Sequence, residues 1–230
     1  MRFILILVFC GLLGKTGAAA QEALHVVILG DSNTWLGGDD CSKPKGWNYW
    51  FKEACQPASC RSYARSGATW THTEKTKRNT VEYKEVLGDD NVMTNQIYRL
   101  EEAMEKGEQV KPNLIILLAG TNDAWFRKEK VSPESLGTQV KEDCERLRKM
   151  VAEGARIVVL TPMKSKHAGE KAIRMAGDEI EKASEEMEIE TIRLDGMDIE
   201  TYDGTHTSER GARKLGQYLA EAICHQCNHL

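Results

Sequence analysis

The sequence lacks a concentrated run of basic residues, a glycine-rich phosphate loop behind a strand, an internal repeat and a low-complexity linker. Without a basic stripe, neither nucleic acid nor an anionic membrane surface is an expected partner. Without G-x-G-x-x-G or a complete phosphate loop, a nucleotide site is not expected. The tripeptide Gly14-Lys15-Thr16 has Phe9 where such a loop requires Gly. The tail Cys224-His225-Gln226-Cys227-Asn228-His229 has no second ligand cluster at finger-like spacing. It reads as a disulfide or a disordered end in preference to a zinc site. No metal and no cofactor are expected. Outside residues 3–13 there is no long apolar run to serve as a lipid-facing lid.

What the chain does have is 230 residues, 41% hydrophobic and 29% charged, with a formal net charge of −4. That length suits one α/β domain with a sizeable core and is short for two. Arg2 followed by apolar Phe3–Leu13 and by Ala18-Ala19-Ala20 reads as a signal peptide over residues 1–20. The run is too brief to span a bilayer comfortably, so stable membrane insertion is not expected. Cys10 arrives early and follows bulky Phe9, which disfavours lipid anchoring there. The expected mature chain, 21–230, is secreted or periplasmic and keeps 29 basic against 35 acidic residues. It also keeps six cysteines: Cys41, Cys55, Cys60, Cys144, Cys224 and Cys227. An even number in an exported chain makes disulfides plausible, with the pairing open. Cys144 lies on an apolar helix face and is equally readable as a buried thiol.

Five apolar segments read as buried strands: Leu24–Leu29, Cys60–Ala64, Leu114–Ala119, Arg156–Leu160 and Thr191–Leu194. The third is continuously apolar, as a strand covered on both faces must be. Between them, apolar residues recur at helical spacing. They run through Trp47–Ala54, Leu136–Val151 (after Ser132 as N-cap and Pro133), Ile173–Met187 and Ala212–Ile223. Residues 69–88 are polar and aperiodic and read as a loop excursion. Strands alternating with helices predict an α/β fold, a parallel sheet between two helical layers. In such folds ligands bind at the carboxyl ends of the strands.

Four polar clusters fall at those ends: Gly30-Asp31-Ser32-Asn33-Thr34, Arg65-Ser66-Gly67-Ala68-Thr69, Gly120-Thr121-Asn122-Asp123 and Asp203-Gly204-Thr205-His206. Each alone is ordinary turn chemistry. Together, in this order, they resemble the blocks of the SGNH hydrolases, the GDSL esterase/lipase superfamily, over nearly the whole mature chain. The resemblance implies a flavodoxin-like α/β/α sandwich with a five-stranded parallel sheet. It also implies a serine acylhydrolase: Ser32 as nucleophile, His206 as base, Asp203 as its orienting partner, and an oxyanion hole from Ser32, Gly67 and Asn122. Asn33 departs from the Leu or Ile common at that position of the family and reads as a tolerated variation.

The chemistry requires these types. A serine hydroxyl is a weak nucleophile until an imidazole takes its proton, and that imidazole can then protonate the leaving alcohol. A carboxylate fixes the imidazole tautomer. Prepositioned donors meet the developing oxyanion, each worth about 3 kcal/mol. The elbow G-x-S-x-G of another hydrolase fold is absent, since position 34 is Thr. Asp31 reads as ordering its loop. His25, His72, His167, His225 and His229 read as structural or solvated.

Trp35, Trp70 and Trp125 each follow a site residue by three positions. They are either loop packing or an aromatic, substrate-binding rim for a sugar or acyl group. The expected reaction is removal of a short acyl group, acetyl first, from an oxygen ester of a small molecule or oligosaccharide. The alternatives are a lysophospholipase- or thioesterase-type hydrolase and a non-catalytic carbohydrate-binding protein on the same fold.

Overall fold

The computed structural model describes residues 23–72, 90–126 and 133–224. The expected signal peptide, most of the 69–88 excursion, Ser132, His225, Cys227 and His229 lie outside the described residues. The chain runs β1 (His25–Gly30), α1 (Ser32–Trp35), α2 (Trp47–Cys55), β2 (Ser59–Ser62), α3 (Met93–Glu105), β3 (Leu114–Leu118), α4 (Thr121–Phe126), α5 (Pro133–Met150), β4 (Arg156–Leu160), α6 (Glu170–Glu186), β5 (Glu190–Ile192) and α7 (Glu209–Cys224).

The five strands pair in parallel in the order β2-β1-β3-β4-β5. This is the flavodoxin-like α/β/α arrangement expected from the sequence. Alternate strand residues face opposite layers. Val27, Leu29, Ile115, Leu117, Ile157 and Val159 pack with Ile97, Leu100, Val140, Leu147 and Ile180 of α3, α5 and α6. Val26, Ile28, Ile116, Leu118, Val158 and Leu160 pack with Trp47, Phe51, Leu215 and Leu219 of α2 and α7. Both faces of β3 are covered, which is why its sequence is apolar without alternation.

A disulfide joins Cys55 at the end of α2 to Cys224 at the end of α7, 169 residues apart. Cys144 is a buried free thiol. Among the described residues no helix is long and apolar enough to cross a membrane.

Helix α3 is the element with no counterpart in the sequence-based reading. Its apolar residues Met93, Ile97 and Leu100 do follow helical spacing, but the same buried face carries Asn95 and Gln96. Gln96 explains itself: its amide accepts from Gly30 N and donates to Gly30 O, both at 2.8 Å. The side chain thus clamps the last residue of β1, just before Ser32. Gly30 allows this close packing, because a Cβ there would sit 2.6 Å from both Leu118 O and Thr34 Oγ1.

Candidate active site

The switch in strand order lies between β1 and β3, where chain connections leave the sheet in opposite directions. That crevice is the expected ligand position. Ser32 opens α1 directly above β1. Asp31 caps that turn, its Oδ1 accepting from Asn33 N at 3.1 Å. Burial pushes the Asp31 carboxyl up to about 6, against the Asn33 N–H and the charge of His206. Its role is that of a loop-ordering group, as its place beside Ser32 suggests.

Ser32 Oγ stands 2.9 Å from His206 Nε2, across a sequence separation of 174 residues. His206 Nδ1 is 2.6 Å from Asp203 Oδ2. The other carboxylate oxygen of Asp203 accepts from Thr205 N at 2.9 Å and His206 N at 2.7 Å. Burial raises the Asp203 pKa with the largest single effect. The His206 ring and the two backbone N–H groups together outweigh it and bring the carboxyl down to about 2. Asp203 is therefore an ionised acceptor, Nδ1 carries the imidazole proton, and Nε2 is free to accept from Ser32. The three side chains form one hydrogen-bonded line.

Gly67 lies in the loop after β2 with φ 79, a left-handed backbone that favours glycine. Asn122 is in the first turn of α4, and its Nδ2 donates to Ala68 O at 2.9 Å. An amide nitrogen has two hydrogens. One holds the Gly67–Ala68 loop, which leaves the second for a ligand oxygen. The next residue, buried Asp123, reinforces the same junction by accepting from Trp70 N (3.1 Å), Thr71 N (3.0 Å) and Thr71 Oγ1 (2.8 Å).

The structure gives Asn33 a role that its reading as a neutral variation missed. Its Oδ1 accepts from Thr207 N at 3.0 Å, and its Nδ2 donates to Thr205 O at 3.4 Å. One amide therefore brackets His206 and ties the histidine loop to the Ser32 turn. From the other side, Thr205 Oγ1 lies 2.8 Å from both Ser165 Oγ and His167 Nδ1. Asn33→Leu would leave the Thr207 N–H and the Thr205 carbonyl unpaired, which costs about 2–3 kcal/mol. We expect kcat to fall about 10–100-fold with KM nearly unchanged. Asn33→Asp, which keeps the bond from Thr207 N, should lose less. Steady-state kinetics of both variants check this, and equal kcat in Asn33→Leu and the native chain would remove the positioning role.

The three tryptophans do not share one fate. Trp70 is fully buried in the core on the α3 side, so it is packing and not rim. Spacing placed it near Gly67, but the backbone bonds to Asp123 turn the segment inward. Trp35 and Trp125 are 42% and 44% exposed. Trp125 stacks on His167 with centroids 5.4 Å apart. Tyr202, 65% exposed, stacks on His206 at 5.8 Å. Tyr202 and His167 were not singled out for the site by motif; only adjacency to Asp203 signalled the first. Of the remaining histidines, His25 bonds Ser59 in the sheet, and His72 pairs with Asp90. Among the described residues no group of three metal-ligating side chains comes together.

Comparison with known proteins places this geometry in context. The chain is similar in structure to Est24, a carbohydrate acetylesterase from Sinorhizobium meliloti, at 15% identity and TM-score 0.60 over 88% of this chain and 99% of that one. It is similar to a Mycobacterium smegmatis aryl esterase at 18% identity and TM-score 0.60, over 87% and 98%. A G-D-S-L family lipolytic protein from Veillonella parvula matches at 16% identity and TM-score 0.60, over 87% and 98%. At these identities the likeness shows the fold. No curated protein matches the chain in sequence. The model of the family described as GDSL-like lipase/acylhydrolase, however, matches residues 26–219, and with Ser32 and His206 inside that span the chain belongs to this family.

Proposed function

We propose that the protein is an exported serine esterase that removes short acyl groups, acetyl foremost, from oxygen esters of carbohydrates. The observation that carries the reaction type is the hydrogen-bonded line Ser32–His206–Asp203 at the carboxyl edge of the sheet. In the mechanism, His206 Nε2 takes the Ser32 proton as Oγ attacks the ester carbonyl. The oxyanion is met by the N–H groups of Ser32 and Gly67 and the second amide hydrogen of Asn122. His206 then protonates the departing alcohol, leaving acyl-Ser32. Water enters and attacks the acyl carbonyl as His206 deprotonates it, and His206 then returns that proton to Ser32 Oγ as the bond to the acyl group breaks and the acid is released.

For the substrate, the support is the exposed aromatic surface on the loops around Ser32. Trp35 borders an open cleft of about 550 Å³ that also presents Asp39, Asp40 and Lys43. A flat ring beside polar and charged side chains suits a sugar better than an acyl chain. The carbohydrate acetylesterase among the similar structures fits the same reading. The test is release of acetate from acetylated xylan and acetylated monosaccharides, set against lysolipids and long-chain p-nitrophenyl esters. Trp35→Ala and Trp125→Ala should each raise KM for acetylated sugar about fivefold, the size of one lost aromatic contact, with kcat held. Unchanged KM in both, or a preference for lysolipid, would remove the sugar rim.

Export is supported by the sequence of residues 1–20 and by a disulfide, which persists in oxidising compartments. Expression with the full leader should yield a mature chain beginning near Gln21, read by intact mass. A cell-retained product that keeps residues 1–20 would contradict it.

A further inference from the structure

Two thiols lie apart from both the active site and the Cys55–Cys224 disulfide. Cys41, fully buried, is on the loop that follows α1, and Cys60 is on edge strand β2. Their sulfurs stand 3.5 Å apart across a separation of 19 residues. A disulfide needs about 2 Å, so the remaining approach is small. The pair does not meet by chance of a loose loop. Asp39 O accepts from Ser62 N at 2.7 Å, and the Asp39 carboxylate pairs with Arg65 at 2.8 Å. Lys52 Nζ donates to Asp40 O at 2.9 Å, and Asn48 Nδ2 to Cys41 Sγ at 3.4 Å. Cys41 itself holds φ 54, a left-handed backbone that a non-glycine residue adopts only when its surroundings fix it. Cys60 also lines an open cleft of about 410 Å³ with Asp39, Asp40, Arg61, Glu108 and Val110, which brings solvent to this part of β2.

We propose that Cys41 and Cys60 are a modification site, oxidised to a second disulfide by exchange with a small-molecule or protein disulfide. Cys60, giving its proton to solvent in the cleft, attacks one sulfur of the incoming disulfide, and the first thiolate leaves and takes up a proton. Cys41, giving up a proton, then attacks Cys60 Sγ, and the second thiolate leaves. On balance both protein protons end on the two released thiols, so two electrons pass from the cysteine pair to the oxidant. The hydrogen bond from Cys60 holds the Cys41 thiol below its ordinary pKa, against burial and with help from Asn48, while the same bond and burial push the Cys60 thiol up. The bond would pin the loop carrying Asp39 to β2, and with it one wall of the cleft beside Trp35. The inference is independent of the substrate reading.

The test uses the full chain equilibrated in oxidised and reduced glutathione, then denatured without reductant in N-ethylmaleimide and mapped by mass. The expected result is a cross-linked peptide pair joining Cys41 to Cys60, neither carrying maleimide, beside the Cys55–Cys224 pair as internal control. Maleimide on both Cys41 and Cys60, or a link from either to another cysteine, overturns the proposal. In the same oxidising buffer Cys41→Ser/Cys60→Ser should melt about 5–10 °C below the native chain, the loss expected for a loop of this length. Equal midpoints would overturn the pinning of the loop.

Discussion

Ser32→Ala lowers kcat/KM for p-nitrophenyl acetate by about four to six orders of magnitude while the melting temperature holds. The size follows from the loss of the attacking atom. What survives is an oxyanion pocket with nothing to bring to it but water. Stability holds because the only hydrogen bond that the Ser32 hydroxyl makes among the described residues is to His206, near the surface. Asp203→Asn should cost about four orders of magnitude, because a neutral amide no longer dictates which imidazole nitrogen carries the proton. A Ser32→Ala protein that hydrolyses the ester at the native rate would remove the nucleophile from the reading. The acid limb of the rate profile should not belong to Asp203. Its carboxyl is held at about 2, below the ordinary value of about 3.9. The stability that it contributes is present above that ordinary value and is lost only as pH falls from there toward about 2.

The largest loss of stability is expected from Asp123→Ala. Three donors converge on this carboxylate: Trp70 N, Thr71 N and Thr71 Oγ1. Burial raises the Asp123 pKa, and the Thr71 and Trp70 donors oppose it. Removing the carboxylate leaves two backbone N–H groups and a hydroxyl in a dry interior, at about 1–3 kcal/mol each. The total should lie near 4 kcal/mol after relaxation, or a fall of about 10 °C in melting temperature for a domain of this size. Activity should fall too, because the segment that Asp123 holds follows Gly67 and Ala68 directly, and Asn122 is its neighbour in the chain. Asp123→Asn, with one carbonyl oxygen left, should lie between. Thermal melts of the three proteins decide the matter, and an Asp123→Ala midpoint within 2 °C or so of native would show the junction to be held by packing alone.

Much of this was legible in the sequence, and the reasons are specific. LIILLA is a strand because nothing polar can occupy a segment covered on both faces. The first three site blocks were visible because each sits one step past an apolar run, where the sheet ends, and the fourth because it stands just before the last helical stripe. Helix α3 was not seen, although its apolar residues keep helical spacing. Its buried face spends Gln96 on the Gly30 peptide, and a polar residue facing inward erases the stripe. Trp70 stayed open between packing and rim because a count of three from Gly67 fixes position but not direction. Three backbone and hydroxyl donors reaching Asp123 fix the direction, and those lie 52–53 residues away. Asn33 failed for the same reason: its partners Thr205 and Thr207 are distant in sequence. Cysteine pairing is a similar case, since α2 and α7 meet only once the sheet has closed.

The separation of 174 residues between Ser32 and His206 has a consequence for the making of the protein. The proposed nucleophile, Ser32, leaves the ribosome early and its proposed base, His206, nearly last. At about 5–20 residues per second, the growing chain carries an unarmed serine for roughly 10–35 s. On that reading no fragment that ends before His206 can attack an ester, however well its sheet has formed. Recovery of hydrolysis after dilution from denaturant therefore times the joining of the first strand to the last loop, and a nascent or truncated chain is silent by construction.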